Sequence, residues 1–280
     1  AGLAPEGEQR RFCDARVEDA LADVEALSAR YAGDPCVRVG VAPHSVRALS
    51  RASLDAASRF ARERALPLHA HVAEQRREVR ECIAEHGLRP IELLAELGAL
   101  DGRFVGVHAT HLLPHEARLF GMARSFACVC RTTERDLGDG LPDVATLLDA
   151  GARLCVGVDD YASSDTFEEL RAVELDERSR AEARCVAADA RALLEAATSE
   201  GYAAIGMDGL AADDEVRLDA RDLSLAGADA RLLDDAIVFG ATPRAIRSVR
   251  VAGRAVVSEG RHPLEETARE AFERTLRRVC

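Results

Sequence analysis

Three short stretches hold the groups best suited to chemistry: His69-Ala-His71-Val-Ala-Glu74-Gln75, Val107-His108-Ala-Thr-His111 and Gly157-Val158-Asp159-Asp160. Each closes an apolar run, which sets imidazole or carboxylate groups where a strand stops and a loop begins. His71 offers a neutral imidazole to a metal ion. Glu74, three residues on, can lean over the same spot and carry a proton between water and substrate. His108 closes a second run and Asp159 a third, and an aspartate buried there is costly without a cation or hydrogen bonds. Together they are the parts of a metal-dependent hydrolase, in which a bound divalent cation supplies hydroxide near neutral pH. Singly, each has a plainer reading: a solvated strand end, a core histidine, or a helix N-cap at Asp159 or Asp160. Agreement among three strand ends favours the metal site. His44 and Arg47 follow an earlier apolar run, and such an arginine can clamp a carboxylate bidentately; plain surface charge is the alternative. His69 receives no role. The loop from Thr132-Thr133-Glu134 to Leu137-Gly138-Asp139-Gly140 is polar but lacks the Gly-Lys-Ser/Thr of a phosphate loop.

These positions require a regular scaffold. Strands are expected at Val37–Ala42, Leu66–Val72, Phe104–His108, Phe126–Cys130 and Arg153–Val158. Helices are expected from Asp14 to Tyr31, from Ser50 toward Leu66, from Arg76 to His86 with Gly87 as its stop, from Pro90 and from Pro114, and over Val144–Ala150. Short apolar strands alternating with helices imply a parallel sheet covered on both faces. Chemistry gathered at strand C-terminal ends is the habit of a (β/α)8 barrel. About five such units are visible, so at roughly 30 residues per unit the remaining strands are expected upstream of Ala1. The fold class is therefore α/β: a partial (β/α)8 TIM-like barrel with the C-terminal part of a small β-sandwich. Phe167–Ala197 reads as more than one helix. Asp235–Phe239, Ile246–Val251 and Arg254–Val257 read as strands, with Ala252-Gly253 as a turn. The expected division is 1–225 for the barrel, 226–264 for the sandwich strands and 265–280 for a C-terminal helix.

Composition narrows the function. Net charge is −12, all 37 basic residues are arginine, and the chain has no lysine, asparagine or tryptophan. An acidic surface without a basic stripe argues against nucleic acid and anionic membranes. No apolar run approaches the ~20 residues of a membrane span, and Ala1–Glu6 is loop-like rather than a signal peptide. The eight cysteines are scattered, and buried free thiols in a reducing, cytoplasmic setting are expected. Cys128 and Cys130 share a strand face, but no second pair has ligand spacing.

The motifs Ala42-Pro-His-Ser-Val-Arg47, His69-Ala-His-Val-Ala-Glu-Gln75, Val107-His-Ala-Thr-His111 and Thr132-Thr-Glu with Leu137-Gly-Asp-Gly140 resemble the amidohydrolase superfamily. Within it they look like the formimidoylglutamate deiminases of histidine degradation. Gln9–Phe12, Leu232–Phe239, Val249–Val257 and Gly260–His262 extend the likeness toward both ends. The resemblance implies one divalent metal, usually zinc, a small-molecule substrate, and a homo-oligomer in the full-length form. It implies His71 and Asp159 as metal ligands, Glu74 as proton shuttle, and His108 as the group that polarises the substrate. Asp159 would also act as base toward the attacking water. His44 and Arg47 would hold the glutamate part of the substrate. The implied reaction is hydrolysis of N-formimidoyl-L-glutamate to N-formyl-L-glutamate and ammonia.

The chain also departs from the family. The first-strand His-x-His, two further metal ligands, is not present, and Cys130-Arg131 stands where Cys-Pro is usual. Asp136 replaces an asparagine, and Asp160-Tyr161 a serine and a small residue or histidine. Two protein ligands are fewer than catalytic zinc normally has, so these 280 residues alone are expected to show little or no deiminase activity. Two alternatives stand beside this reading: another deaminase of the superfamily, acting on guanine or a related ring, and a non-catalytic remnant or binding module.

Overall fold

The computed structural model describes residues 7–208 and 213–279. The opening loop Ala1–Glu6, Cys280 and part of the Gly206–Leu210 stretch lie outside the described residues. Two compact units are separated between Asp208 and Gly209, where the sequence had suggested a boundary at residue 225.

The first unit opens with a 3-10 turn, Gly7–Phe12, and α1 (Val17–Arg30), whose N-cap is Arg16 rather than Asp14. It continues through α2 (Arg51–Glu63), β1 (Leu68–Val72), α3 (Arg76–His86), α4 (Pro90–Glu96), β2 (Phe104–His108), α5 (Pro114–Ala123) and β3 (Phe126–Val129). The short α6 (Arg131–Asp136), α7 (Val144–Asp149), β4 (Arg153–Val156), α8 (Thr166–Ala181), α9 (Ala190–Ala197) and α10 (Ser199–Ala204) complete it. The four strands form one parallel sheet in the order β1-β2-β3-β4. Register pairs Val72 with His108, Val107 with Cys128 and Val129 with Val156, which brings the strand ends to one level. Gly87 ends α3 in the left-handed conformation, φ 70°, where the missing Cβ removes the steric penalty.

Two expectations about this sheet need correction. Val37–Ala42 is no strand; it meets the sheet through a single parallel bridge, Val41 to Leu68, and Ser45 bridges to His71. Those bridges nonetheless lay the His44–Arg47 segment beside the end of β1. The sheet is also not buried alike on both faces. In β1, Leu68, Ala70 and Val72 are buried while His69 and His71 are half-exposed. The helix side holds the larger core, built from Leu54, Val72, Ile91, Leu93, Leu94, Phe104 and Phe120 among others. Gly106 of β2 lets Phe120 lie on the sheet, because a Cβ there would sit 2.4 Å from the buried Phe120 ring. The opposite face carries a smaller cluster of Val105, Phe126, Cys155 and Ala204.

The second unit is built on an antiparallel sheet of β5 (Glu215–Leu218), β6 (Ile246–Val251) and β7 (Arg254–Val257). Ala252 and Gly253 form the expected turn, both with positive φ (47° and 73°), as two-residue hairpins require. Asp235–Phe239, expected as a strand, lies inside the helix α11 (Leu233–Gly240). The chain ends in α12 (Glu265–Val279). Thiol burial was also overestimated: Cys13, Cys36 and Cys185 are exposed, while Cys82, Cys130 and Cys155 are buried.

Candidate active site

The strand ends with the predicted residues are bent here by left-handed residues other than glycine: Ala73 (φ 48°), His108 (φ 70°), Ala109 (φ 54°) and Asp159 (φ 60°). Such conformations cost about 1–3 kcal/mol each and persist only where surrounding structure fixes them. At β1 the fixing group is Glu78, fully buried in the first turn of α3. Its two carboxylate oxygens accept the Ala73 and Glu74 amides at 2.8 and 3.0 Å. Burial raises the Glu78 pKa, against the pull of those amides and of Arg47. At β2 the Ala109 amide donates to Val72 O (3.1 Å) and the His111 amide to Ala73 O (3.0 Å).

These bends gather most of the predicted residues. The rings of His44 and His71 stack with centroids 4.8 Å apart, and His71 and His108 lie 5.5 Å apart. His108 Nε2 is 3.6 Å from Asp159 Oδ2. Arg47 donates to Glu74 Oε2 at 2.9 Å and to Gln75 Oε1 at 3.4 Å. His71 and Asp159 thus meet around His108, while Arg47 and Glu74 pair directly. Asp159, expected to be buried, keeps 28% of its side chain exposed, so solvent lowers the cost of its charge. A cleft of about 970 Å³ runs along α1, α2 and the Val41–Ser50 segment; of the predicted residues it is lined by His44 and Arg47.

Hydrogen bonds settle two ring tautomers. His71 Nδ1 lies 2.9 Å from His44 O, and a carbonyl only accepts, so Nδ1 carries the hydrogen and Nε2 presents a lone pair. His69 Nε2 donates to Ala204 O at 2.9 Å, which gives it a structural part. His108 is fully buried. Burial alone would push its imidazolium pKa down, yet the hydrogen bond to Glu134 and the charges of Glu134, Glu74 and Asp159 outweigh this, and the pKa is raised. The His44 pKa is lowered by burial and by the neighbouring charges of His71 and Arg47.

His71 Nε2 and the Asp159 carboxylate have the donor chemistry of zinc ligands. Among the described residues, no group of three or more His, Cys, Asp or Glu side chains is arranged to hold a metal ion. Those two donors fall short of the three or more that catalytic zinc normally has. Sequence reasoning missed four groups around them. Glu134, seen as part of a polar loop, is fully buried in α6, and its Oε1 faces His108 Nδ1 at 3.2 Å. Gln75, Glu78 and Asp139 complete the surroundings. Burial raises the Asp139 pKa; a hydrogen bond with Gln75 opposes this and the Glu74 charge adds to it. The Glu78 and Glu134 partners could not be read from spacing, because backbone amides and a residue 26 positions away supply them.

The sequence pattern of the Amidohydrolase family matches residues 4–256. The chain belongs to the amidohydrolase family. Formimidoylglutamate deiminase from Pseudomonas aeruginosa is 37% identical over 249 residues, covering 85% of this chain and 55% of that protein. A 5-methylthioadenosine/S-adenosylhomocysteine deaminase from Desulfovibrio desulfuricans is 31% identical, covering 87% of this chain and 57% of that protein. The crystal structure of an amidohydrolase from Brucella melitensis superposes with a TM-score of 0.87 at 32% identity, over 99% of this chain and 62% of that one. The chain thus spans little more than half the length of these two deaminase relatives, and its parallel sheet is a partial barrel of the amidohydrolase kind.

Proposed function

We propose that this amidohydrolase chain serves the hydrolysis of N-formimidoyl-L-glutamate to N-formyl-L-glutamate and ammonia, in histidine degradation. The observation that carries the choice of substrate is Arg47, a guanidinium in direct contact with the acid–base candidate Glu74. An acyclic diacid needs such a cation, and a neutral purine does not. The 37% identity to the Pseudomonas deiminase supports the same reading.

The residues divide the work. A substrate carboxylate reaching Arg47, with His44 beside it, would take over the guanidinium that Glu74 now holds, and Glu74 would be free to move a proton. Water adds to the formimidoyl carbon, with Asp159 as the base that receives its proton. His108, in its imidazolium form, polarises the C=N group by donating from Nε2 to its nitrogen. Glu74 passes a proton to the nitrogen, which leaves as ammonia while the carbon keeps the new oxygen. A divalent cation, zinc by the family resemblance, would be held by His71 and Asp159 and would supply acidified water near neutral pH. The buried free thiols of Cys82, Cys130 and Cys155 suit a reducing cytoplasmic setting, and a homo-oligomeric full-length form belongs to the same proposal.

A second reading, an adenosine-type deaminase, has the 31% identical Desulfovibrio relative in its favour. Ammonia release with added zinc from N-formimidoyl-L-glutamate, 5′-methylthioadenosine and guanine separates the two. With two protein donors among the described residues turnover is expected to be slow, so the order of substrates is the readout. The proposal expects the acyclic substrate first, and Arg47→Met raising its KM roughly tenfold to a hundredfold, the loss of a charged hydrogen-bond pair. Release from the purines alone would transfer the assignment to the second reading.

A further inference from the structure

Behind His108 runs a line of charge that the proposed reaction leaves unused. Arg131 opens α6 and is only 1% exposed. Its Nη1 pairs with Glu134 one turn later, and its Nη2 and Nε reach Asp176 of α8 at 2.6 and 2.9 Å. Arg135 holds the other oxygen of Asp176 at 2.7 Å. Glu134 is fully buried; its Oε1 accepts the Cys130 amide at 2.9 Å and faces His108 Nδ1 at 3.2 Å. A buried charge persists when it is paired and hydrogen-bonded, and Glu134 has both supports. A carboxylate has no hydrogen to give, so the hydrogen in that contact belongs to His108 Nδ1. The second ring nitrogen, Nε2, is buried, has no hydrogen-bond partner among the described residues, and faces Asp159.

We propose that Glu134, paired with Arg131 and bonded to the Cys130 amide, is a positioning residue that fixes the tautomer of His108. It holds the hydrogen on Nδ1 and leaves Nε2 as the ring atom that meets the reacting groups. This extends the reading of His108 as a catalytic residue and rests on it. The tautomer is informative because a histidine side chain free in water prefers its hydrogen on Nε2, and which nitrogen carries it in a protein is set by the bond the other makes. An Nδ1–H ring at position 108 is thus an imprint of Glu134.

Long-range 1H–15N correlation spectra of histidine-labelled protein, recorded with the ring neutral, read this directly. The His108 signals are assigned by their loss in His108→Asn. The wild type is expected to show Nδ1–H. In Glu134→Met, which leaves His108 Nδ1 without an acceptor, the hydrogen is expected to move to Nε2, and kcat for ammonia release to fall roughly 10–100-fold with KM little changed, the usual effect of losing such a supporting partner. If that variant fails to fold, Arg131→Met/Glu134→Met removes both charges together and is expected to show the same move. The wild-type spectrum decides without any variant: an Nε2–H ring overturns the proposal, as does an Nδ1–H ring that persists in folded Glu134→Met. An Nδ1–H ring in a protein that releases ammonia from the purines alone would sink the functional reading and leave the positioning intact. Ammonia release from N-formimidoyl-L-glutamate by a protein with an Nε2–H ring would do the reverse.

Discussion

Removing the Glu78 carboxylate should loosen the turn that aims Glu74. In Glu78→Ala the Ala73 and Glu74 amides lose their acceptors, which lie at 2.8 and 3.0 Å in a fully buried site. Each buried amide left unpaired costs about 1–3 kcal/mol. The acidic group in the first turn of α3 contributes a further ~0.3–1 kcal/mol through the helix dipole. Against this, burial raises the Glu78 pKa, so some desolvation cost is recovered when the carboxylate goes. The net loss should be about 3 kcal/mol. Glu78→Gln keeps one acceptor and turns an amide NH2 toward the other N–H, for a loss of about 1–2 kcal/mol. Urea unfolding at neutral pH, followed by circular dichroism, measures both. A loss below ~0.5 kcal/mol for the alanine variant, well under the cost of one unpaired amide, would refute the view that Glu78 holds this bend. So would a glutamine variant as unstable as the alanine one.

Other perturbations test neighbouring parts of the account. Hydrogen bonding to Arg180 lowers the Asp143 carboxyl to about 2, from an ordinary 3.8. A depressed folded-state pKa adds stability above the ordinary value, and that stability drains away as pH falls toward 2. Asp143→Asn, which can still cap Thr146, should cost less than about 1 kcal/mol at pH 7 because the pair is largely exposed; urea midpoints of the two proteins should converge near pH 2. Gly106→Ala would drive a Cβ to 2.4 Å from the buried Phe120 ring. Overpacking of this kind costs about 1–3 kcal/mol, which for a unit of this size lowers the melting temperature by several degrees; an unchanged melt would mean that Phe120 retreats freely.

Much of the scaffold was legible because its strands are runs of apolar residues closed by polar ones. Phe104–His108 ends on its histidine, and Leu68–Val72 one residue past His71. Val37–Ala42 has the same texture but, among the described residues, meets β1 only through a single bridge, and texture alone does not report a partner. Asp235–Phe239 failed for another reason: five residues cannot separate a period of two from one of 3.6. Its surroundings, with Asp234 and Asp235 in the first turn of a helix, decide for the helix. At the site, His71, Glu74, His108, Asp159, His44 and Arg47 were all named from their positions at run ends. Arg131 was noticed only as a departure from a usual proline, because the groups that give it meaning, Glu134 and Asp176, are joined by folding. Long-range pairs of charged residues leave no periodic trace.

Zinc uptake by the purified chain is the most direct test of the central claim, that side chains from separate strand ends meet at one centre. Equilibrium dialysis against rising zinc should show one weak site in the wild type, as a two-donor set gives, and both His71→Asn and Asp159→Asn should lose it while keeping the wild-type circular dichroism spectrum. Unchanged binding in the two variants, or no site in the wild type, would contradict the account.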